Sequence, residues 1–142
     1  MIDLMARQRD WTRTNFLLTD PHFHSLTMRR QTMAAKPDIP PGTLYMLILK
    51  TLARLGPLHG YGIARAIQQS SEDVLQVEEG SLYPALQRML IKGWVIADWK
   101  QSDNNRRARF YRLTPQGRKQ LHAEIAQFEQ VMAAIVRVIQ PA

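Results

Sequence analysis

Gly80-Ser81-Leu82-Tyr83-Pro84-Ala85-Leu86-Gln87-Arg88-Met89 opens a short amphipathic helix, after which come two strand-like stretches, Trp94–Lys100 and Arg107–Leu113, and then Thr114-Pro115-Gln116-Gly117. Helix, hairpin and a further helix in that order decide the fold. Ser81 is a natural N-cap, and Pro84 falls in the first turn, where a missing N–H costs little. Leu82, Leu86, Met89 and Leu90 form the inner stripe, and Gly93 ends the helix. At about 100° per residue the opposite face carries Pro84, Gln87, Arg88 and Ile91, with Ser81, Tyr83 and Lys92 on its flanks. These are the groups placed to meet a ligand.

Downstream, the two stretches are rich in β-branched and aromatic residues and are separated by the polar loop Gln101 to Arg106, which reads as a hairpin. Alternation is broken on both, so the pattern leaves open which parity faces the core. The thirteen residues from Lys100 to Arg112 carry Lys100, Arg106, Arg107, Arg109 and Arg112 against one acid, Asp103. Charge runs are usually solvated faces. Here Arg118 and Lys119 add cations to the first turn of the next helix, where they oppose its dipole by about 0.3–1 kcal/mol unless an anion lies nearby.

Upstream, Leu44, Leu47, Ile48, Leu52 and Leu55 recur at spacings of three and four until Gly56-Pro57 forces a turn. A second, short helix starts near Gly60 and buries Ile63, Ala64 and Ile67. Its end dissolves into Gln68-Gln69-Ser70-Ser71 and an acidic linker. Beyond the hairpin, Thr114 and Pro115 supply the N-cap and first residue of a fourth helix. On it Leu121, Ile125, Phe128, Met132, Ile135 and Ile139 recur at steps of four, three, four, three and four, a coiled-coil-like seam that usually needs a partner helix. Packing back on its own domain accounts for only part of that stripe, and dimerisation is the reading preferred here.

The chain has 142 residues, enough for one ordinary domain with appendages. Its 19 Lys+Arg against 12 Asp+Glu give a net charge of +7, which favours an anionic partner such as nucleic acid or a membrane surface. The absence of cysteine removes disulfides, thiolate metal sites and thiol nucleophiles, and fits a reducing compartment. No apolar run approaches the roughly 20 residues that span a bilayer, and the Arg-dotted N-terminus lacks a secretory core, so a cytoplasmic location without membrane attachment is expected.

Residues 1–35 show no persistent period and read as a poorly ordered extension. Met33-Ala34-Ala35-Lys36-Pro37 looks like a protein start, which makes Met33 an alternative to Met1. His22 and His24 form a His-x-His pair with no cysteine and no third histidine nearby, so no metal or other cofactor is expected. His59 stands in a turn and His122 is alone on the fourth helix. No Ser–His–acid grouping, His-Glu-x-x-His or phosphate loop appears, and an enzyme is not expected.

Four motifs in order, Gly42-Thr43-Leu44, Gly56-Pro57-Leu58-His59-Gly60-Tyr61-Gly62-Ile63, Gly80-Ser81-Leu82-Tyr83-Pro84-Ala85-Leu86 and Tyr111-Arg112-Leu113-Thr114-Pro115-Gln116-Gly117, resemble the PadR family of bacterial transcriptional regulators. The resemblance spans roughly Pro41 to Leu121. It implies a mainly α fold with a small β-hairpin wing: a winged helix-turn-helix domain over 36–114 and a C-terminal dimerisation helix over 115–142. It further implies an operator-binding homodimer that usually represses. Some members sandwich aromatic drugs between tryptophans at the dimer centre, whereas the fourth helix here holds no Trp and only Phe128; an effector is left open.

On this reading the third helix enters the major groove of double-stranded DNA. Gln87 and Arg88 read bases there, Gln suiting adenine and Arg guanine. Pro84 and Lys92 belong to the same surface. Ser81, Tyr83 and Tyr61 contact phosphates; for Tyr61 buried packing is an equal reading, and for Tyr83 packing under the wing is compatible with the contact. Arg106, Arg107 and Arg109 of the wing meet a minor groove or flanking phosphates, and Leu121, Ile125, Phe128, Met132, Ile135 and Ile139 join two copies. The rival reading is a winged-helix adaptor that binds protein and has lost DNA.

Overall fold

In a computed structural model, residues 37–101 and 106–140 are described. The N-terminal extension, with Met33 and the His22/His24 pair, lies outside them, as do wing residues 102–105 and the last two residues. The elements are α1 (Leu44–Leu55), β1 (Leu58–His59), α2 (Gly60–Ser70), α3 (Glu79–Ile91), β2 (Val95–Gln101), β3 (Arg107–Leu113) and α4 (Pro115–Ile139). Ile48, Leu49 and Leu52 of α1, Ile63 and Ile67 of α2, and Leu82, Ala85, Leu86 and Met89 of α3 meet in one core, closed by Val95, Tyr111 and Leu121. The fold is thus mainly α with a small β wing, as the periodicities require.

The hairpin is not two-stranded. Leu58 and His59 pair antiparallel with β3, opposite Tyr111 and Phe110, in a sheet of order β1-β3-β2. Two residues are too few for any period to register, so the strand was invisible as pattern. Register also settles the parity: Val95 faces Leu113 and Ala97 faces Tyr111 on the core side, and Trp99 opposite Arg109 continues that side outward. His59, Phe110, Asp98 and Lys100 occupy the other side. His59 is no free turn histidine: it is buried, and its Nδ1 accepts from the Gly62 N–H at 2.9 Å, capping α2.

Ser81 does not cap α3. The helix begins two residues earlier, at Glu79, with Glu78 in the cap position and its carbonyl accepting from the Ser81 and Leu82 amides at 3.0 and 2.9 Å. Carboxylates at a helix N-terminus are favoured by the dipole, which offsets what a serine cap would have contributed. Pro84 consequently sits in the second turn, where it forfeits the bond to the Gly80 carbonyl; both residues are exposed, so water can replace it. The far end closes as the glycine motif requires: Gly93 adopts φ +73°, its amide donating to the Leu90 carbonyl and that of Trp94 to the Met89 carbonyl.

α4 is stitched to that end. The Thr114 hydroxyl accepts from the Gly117 amide at 2.9 Å and lies 2.7 Å from the Gly93 carbonyl and 3.0 Å from that of Trp94. Leu121 is 3% exposed within its own core, so it has no surface to offer a second subunit, a correction to the seam read from sequence. Ile125 packs partly on the same core. From residue 126 the helix leaves the domain, with Phe128, Val131, Met132, Ile135, Val136 and Ile139 exposed along it.

Candidate nucleic-acid interface

α3 packs through Leu82, Ala85, Leu86 and Met89 and leaves Ser81, Pro84, Gln87, Arg88, Ile91 and Lys92 exposed, the face expected from the 3.6-residue repeat. Ile91, the last residue of the helix, stands 85% exposed. Beside this face an open cleft of about 640 Å³ runs between α3 and the segment leading into α1. Ser81, Pro84 and Arg88 line one side and Asp38 to Gly42 the other.

The first turn of α3 is a poorer phosphate site than the sequence suggested. The Ser81 amide is already engaged with the Glu78 carbonyl, and the carboxylates of Glu78 and Glu79 at that terminus repel an anion. Tyr83 is half-buried, with its ring seated against Gly60, where an added Cβ would approach to 3.0 Å. Burial pushes its phenol above the usual tyrosine range, and Glu79 and then Tyr111 act in the same direction. The hydroxyl therefore stays protonated at neutral pH, a donor suited to phosphate.

Tyr61 keeps company elsewhere. It is half-buried and stacks on His59 with ring centroids 6.2 Å apart, on the side of the sheet opposite Tyr111. His59 in turn meets Phe110 edge-on at 5.5 Å. Lys92 lies at the C-terminal cap of α3, its Nζ 4.6 Å from the centre of the Trp94 ring. Trp94 also meets Tyr45 edge-on. Lys92 is thus at the end of α3 remote from Tyr83.

On the wing, each of three cations rests on an aromatic ring. Arg107 lies 5.8 Å over Trp99, Arg109 5.7 Å over Tyr111, and the Lys100 ammonium 5.7 Å over Phe110. Arg109 is less accessible than its neighbours Arg106 and Arg107. It is half-buried with its Nε unpartnered, and its charge partly counters the burial that raises the Tyr111 phenol. Arg106 and Arg107 are exposed, and Arg112 pairs with Asp98 at 3.5 Å.

Trp99 was missed by the sequence reading. It stands 59% exposed on the same side of the hairpin as Tyr111, and the one signal for it was a tryptophan in a strand whose parity the broken alternation left open. Among the described residues no three His, Asp or Glu side chains gather to hold a metal ion, and no helix is long and apolar enough to cross a membrane.

Residues 48–123 match the transcriptional regulator PadR-like family. A 37.1 kDa protein in transposon TN4556 of Streptomyces fradiae is 43% identical over 79 residues, which cover 56% of this chain and 21% of that protein. The chain therefore spans about a fifth of the length of that curated relative. A PadR family transcription regulator from Clostridium difficile is 26% identical, with a TM-score of 0.60 over 70% of this chain and 100% of its own. A transcriptional regulator from Clostridium thermocellum, 24% identical with a TM-score of 0.65 over 70% of this chain and 95% of its own, shares the fold.

Proposed function

This chain belongs to the transcriptional regulator PadR-like family, a family of DNA-binding regulators and not of enzymes, and from that premise we propose that it acts as a homodimeric repressor on an inverted-repeat operator. The observation that carries the reading is one surface: an α3 face exposed at Pro84, Gln87 and Arg88, flanked by a hairpin that exposes Arg106 and Arg107 at its outer end. α3 enters the major groove, with Gln87 and Arg88 at base edges and Tyr83 and the Ser81 hydroxyl on the backbone. The wing reaches the adjacent minor groove or its phosphates. Tyr61, Lys92 and Arg109 take peripheral roles, held as they are by His59, Trp94 and Tyr111.

The dimer forms through Ile125, Phe128, Met132, Ile135 and Ile139 of α4, whose exposed stripe outlasts the domain it springs from. Two-fold symmetry then presents α3 twice, with half-sites about 10 bp apart. Binding-site selection with the purified protein tests this directly: an inverted repeat is expected, and recovery of no enriched duplex rejects operator binding.

Two substitutions separate the assigned roles. Gln87→Ala should change the preferred base at one position of each half-site, because a bidentate Gln–adenine pair discriminates by about 1–3 kcal/mol. An unchanged motif in a repeated selection would strip Gln87 of its role. Arg106→Ala with Arg107→Ala should weaken all duplexes alike and flatten the dependence of log K on log salt by about 0.9 per lost phosphate contact. A slope equal to that of the wild type across a salt titration would place both arginines away from the DNA.

A further inference from the structure

Trp99 is the large aromatic side chain that the wing does not need for its own packing. The other two rings that carry a wing cation are buried, Tyr111 at 4% and Phe110 at 8% exposure, whereas Trp99 stands 59% open. Leaving so much indole in water forgoes stabilisation that burial would give, at about 25 cal/mol per Å². The core cluster does not include it.

Its position is specific. Register puts Trp99 opposite Arg109 and on the same side as Arg107 and Tyr111, and Tyr111 shares one core with Leu82, Leu86 and Met89 of α3. That side of the hairpin therefore turns toward the helix assigned to the major groove, not away from it. Arg107 resting on the ring is already confined to one region of space, so less side-chain freedom is lost when it meets a phosphate.

From this placement we propose that Trp99 is a neutral DNA contact, its indole face packing on the deoxyribose edge of the strand whose phosphate Arg107 neutralises. The inference rests on the DNA-binding reading above and adds to it a contact that releases no counterions. A flat apolar face matches the C–H surface of a sugar, and the ring's position beside the cation lets one side chain pair span sugar and phosphate together.

The test uses the full chain and a duplex recovered by selection with the wild-type protein, titrated at several salt concentrations against Trp99→Ala, Trp99→Phe and Arg107→Ala. Trp99→Ala should bind about tenfold more weakly at every salt concentration with an unchanged slope. Trp99→Phe should recover most of the loss, and Arg107→Ala should flatten the slope by about 0.9. In a Trp11→Phe, Trp94→Phe background, where Trp99 is the remaining tryptophan of three, its emission should be quenched as the duplex is added. Wild-type affinity in Trp99→Ala, or unquenched emission on saturation, overturns the proposal. So does a slope in Trp99→Ala as flat as that of Arg107→Ala, since the ring would then only hold the arginine. A wild type that binds no duplex defeats the functional reading itself and this inference with it.

Discussion

Gly117→Ala should lower the melting temperature by about 10–20 °C, corresponding to about 3 kcal/mol for an ordered region of this size. Gly117 is the third residue of α4 and is buried where the helix crosses the start of β2. A Cβ there would land on the Trp94 carbonyl oxygen and lie 2.8 Å from its carbon and 2.9 Å from Leu113 Cδ1. Backbone cannot swing aside as a flexible side chain would. That same Trp94 carbonyl accepts from the Thr114 amide at 3.1 Å, so displacing it also loosens the cap that starts α4. Gly80→Ala is the internal control: its Cβ meets nothing within 4 Å, and alanine in a helix is favoured over glycine by about 0.5–1 kcal/mol, so that variant should melt no lower than the wild type. Thermal denaturation followed by circular dichroism decides it. Equal melting temperatures for Gly117→Ala and the wild type would mean that α4 does not seat on β2 as described.

Phe128→Asp combined with Ile135→Asp should convert the protein to a monomer and weaken operator binding by about a hundredfold or more, because each half-site then binds alone and the gain from linking two recognition helices is lost. The two positions are 37% and 45% exposed on the part of α4 that has left the domain, so a charge there costs the folded monomer little. The domain itself should survive, since Gly117, Leu121 and Ile125 keep the start of α4 against the core. Light scattering reports the mass, and circular dichroism verifies the fold. A dimer that persists would reject this face of α4 as the interface. Leu121→Ala forms a useful contrast: it should cost about 2–5 kcal/mol of stability as a core truncation, with no separate effect on assembly.

Much of the candidate surface was legible because helix periodicity assigns faces without tertiary information. Pro84, Gln87, Arg88 and Ile91 are exposed, and Leu82, Leu86 and Met89 buried, as the spacing requires. The wing was harder. A period of two needs an unbroken alternation, and β3 buries both Phe110 and Tyr111 because aromatic partners cover each side of the sheet at that point: His59 behind, the core in front. For the same reason the spacing does not show that Arg109 is half-buried or that Trp99 is exposed. Ser81 has the chemistry of a cap, yet the acids preceding it start the helix sooner.

Sequence by itself determined the order of elements, the stops at Gly56 and Gly93, the cap at Thr114, the inner and outer faces of α3 and the family, because each follows from local spacing or from backbone conformations that few residues tolerate. Only the tertiary structure decided that Leu58 and His59 complete the sheet, that Leu121 serves its own core while Phe128 does not, and which wing cations rest on which rings. Those outcomes depend on what approaches from distant parts of the chain, and a one-dimensional pattern carries no record of its neighbours in space.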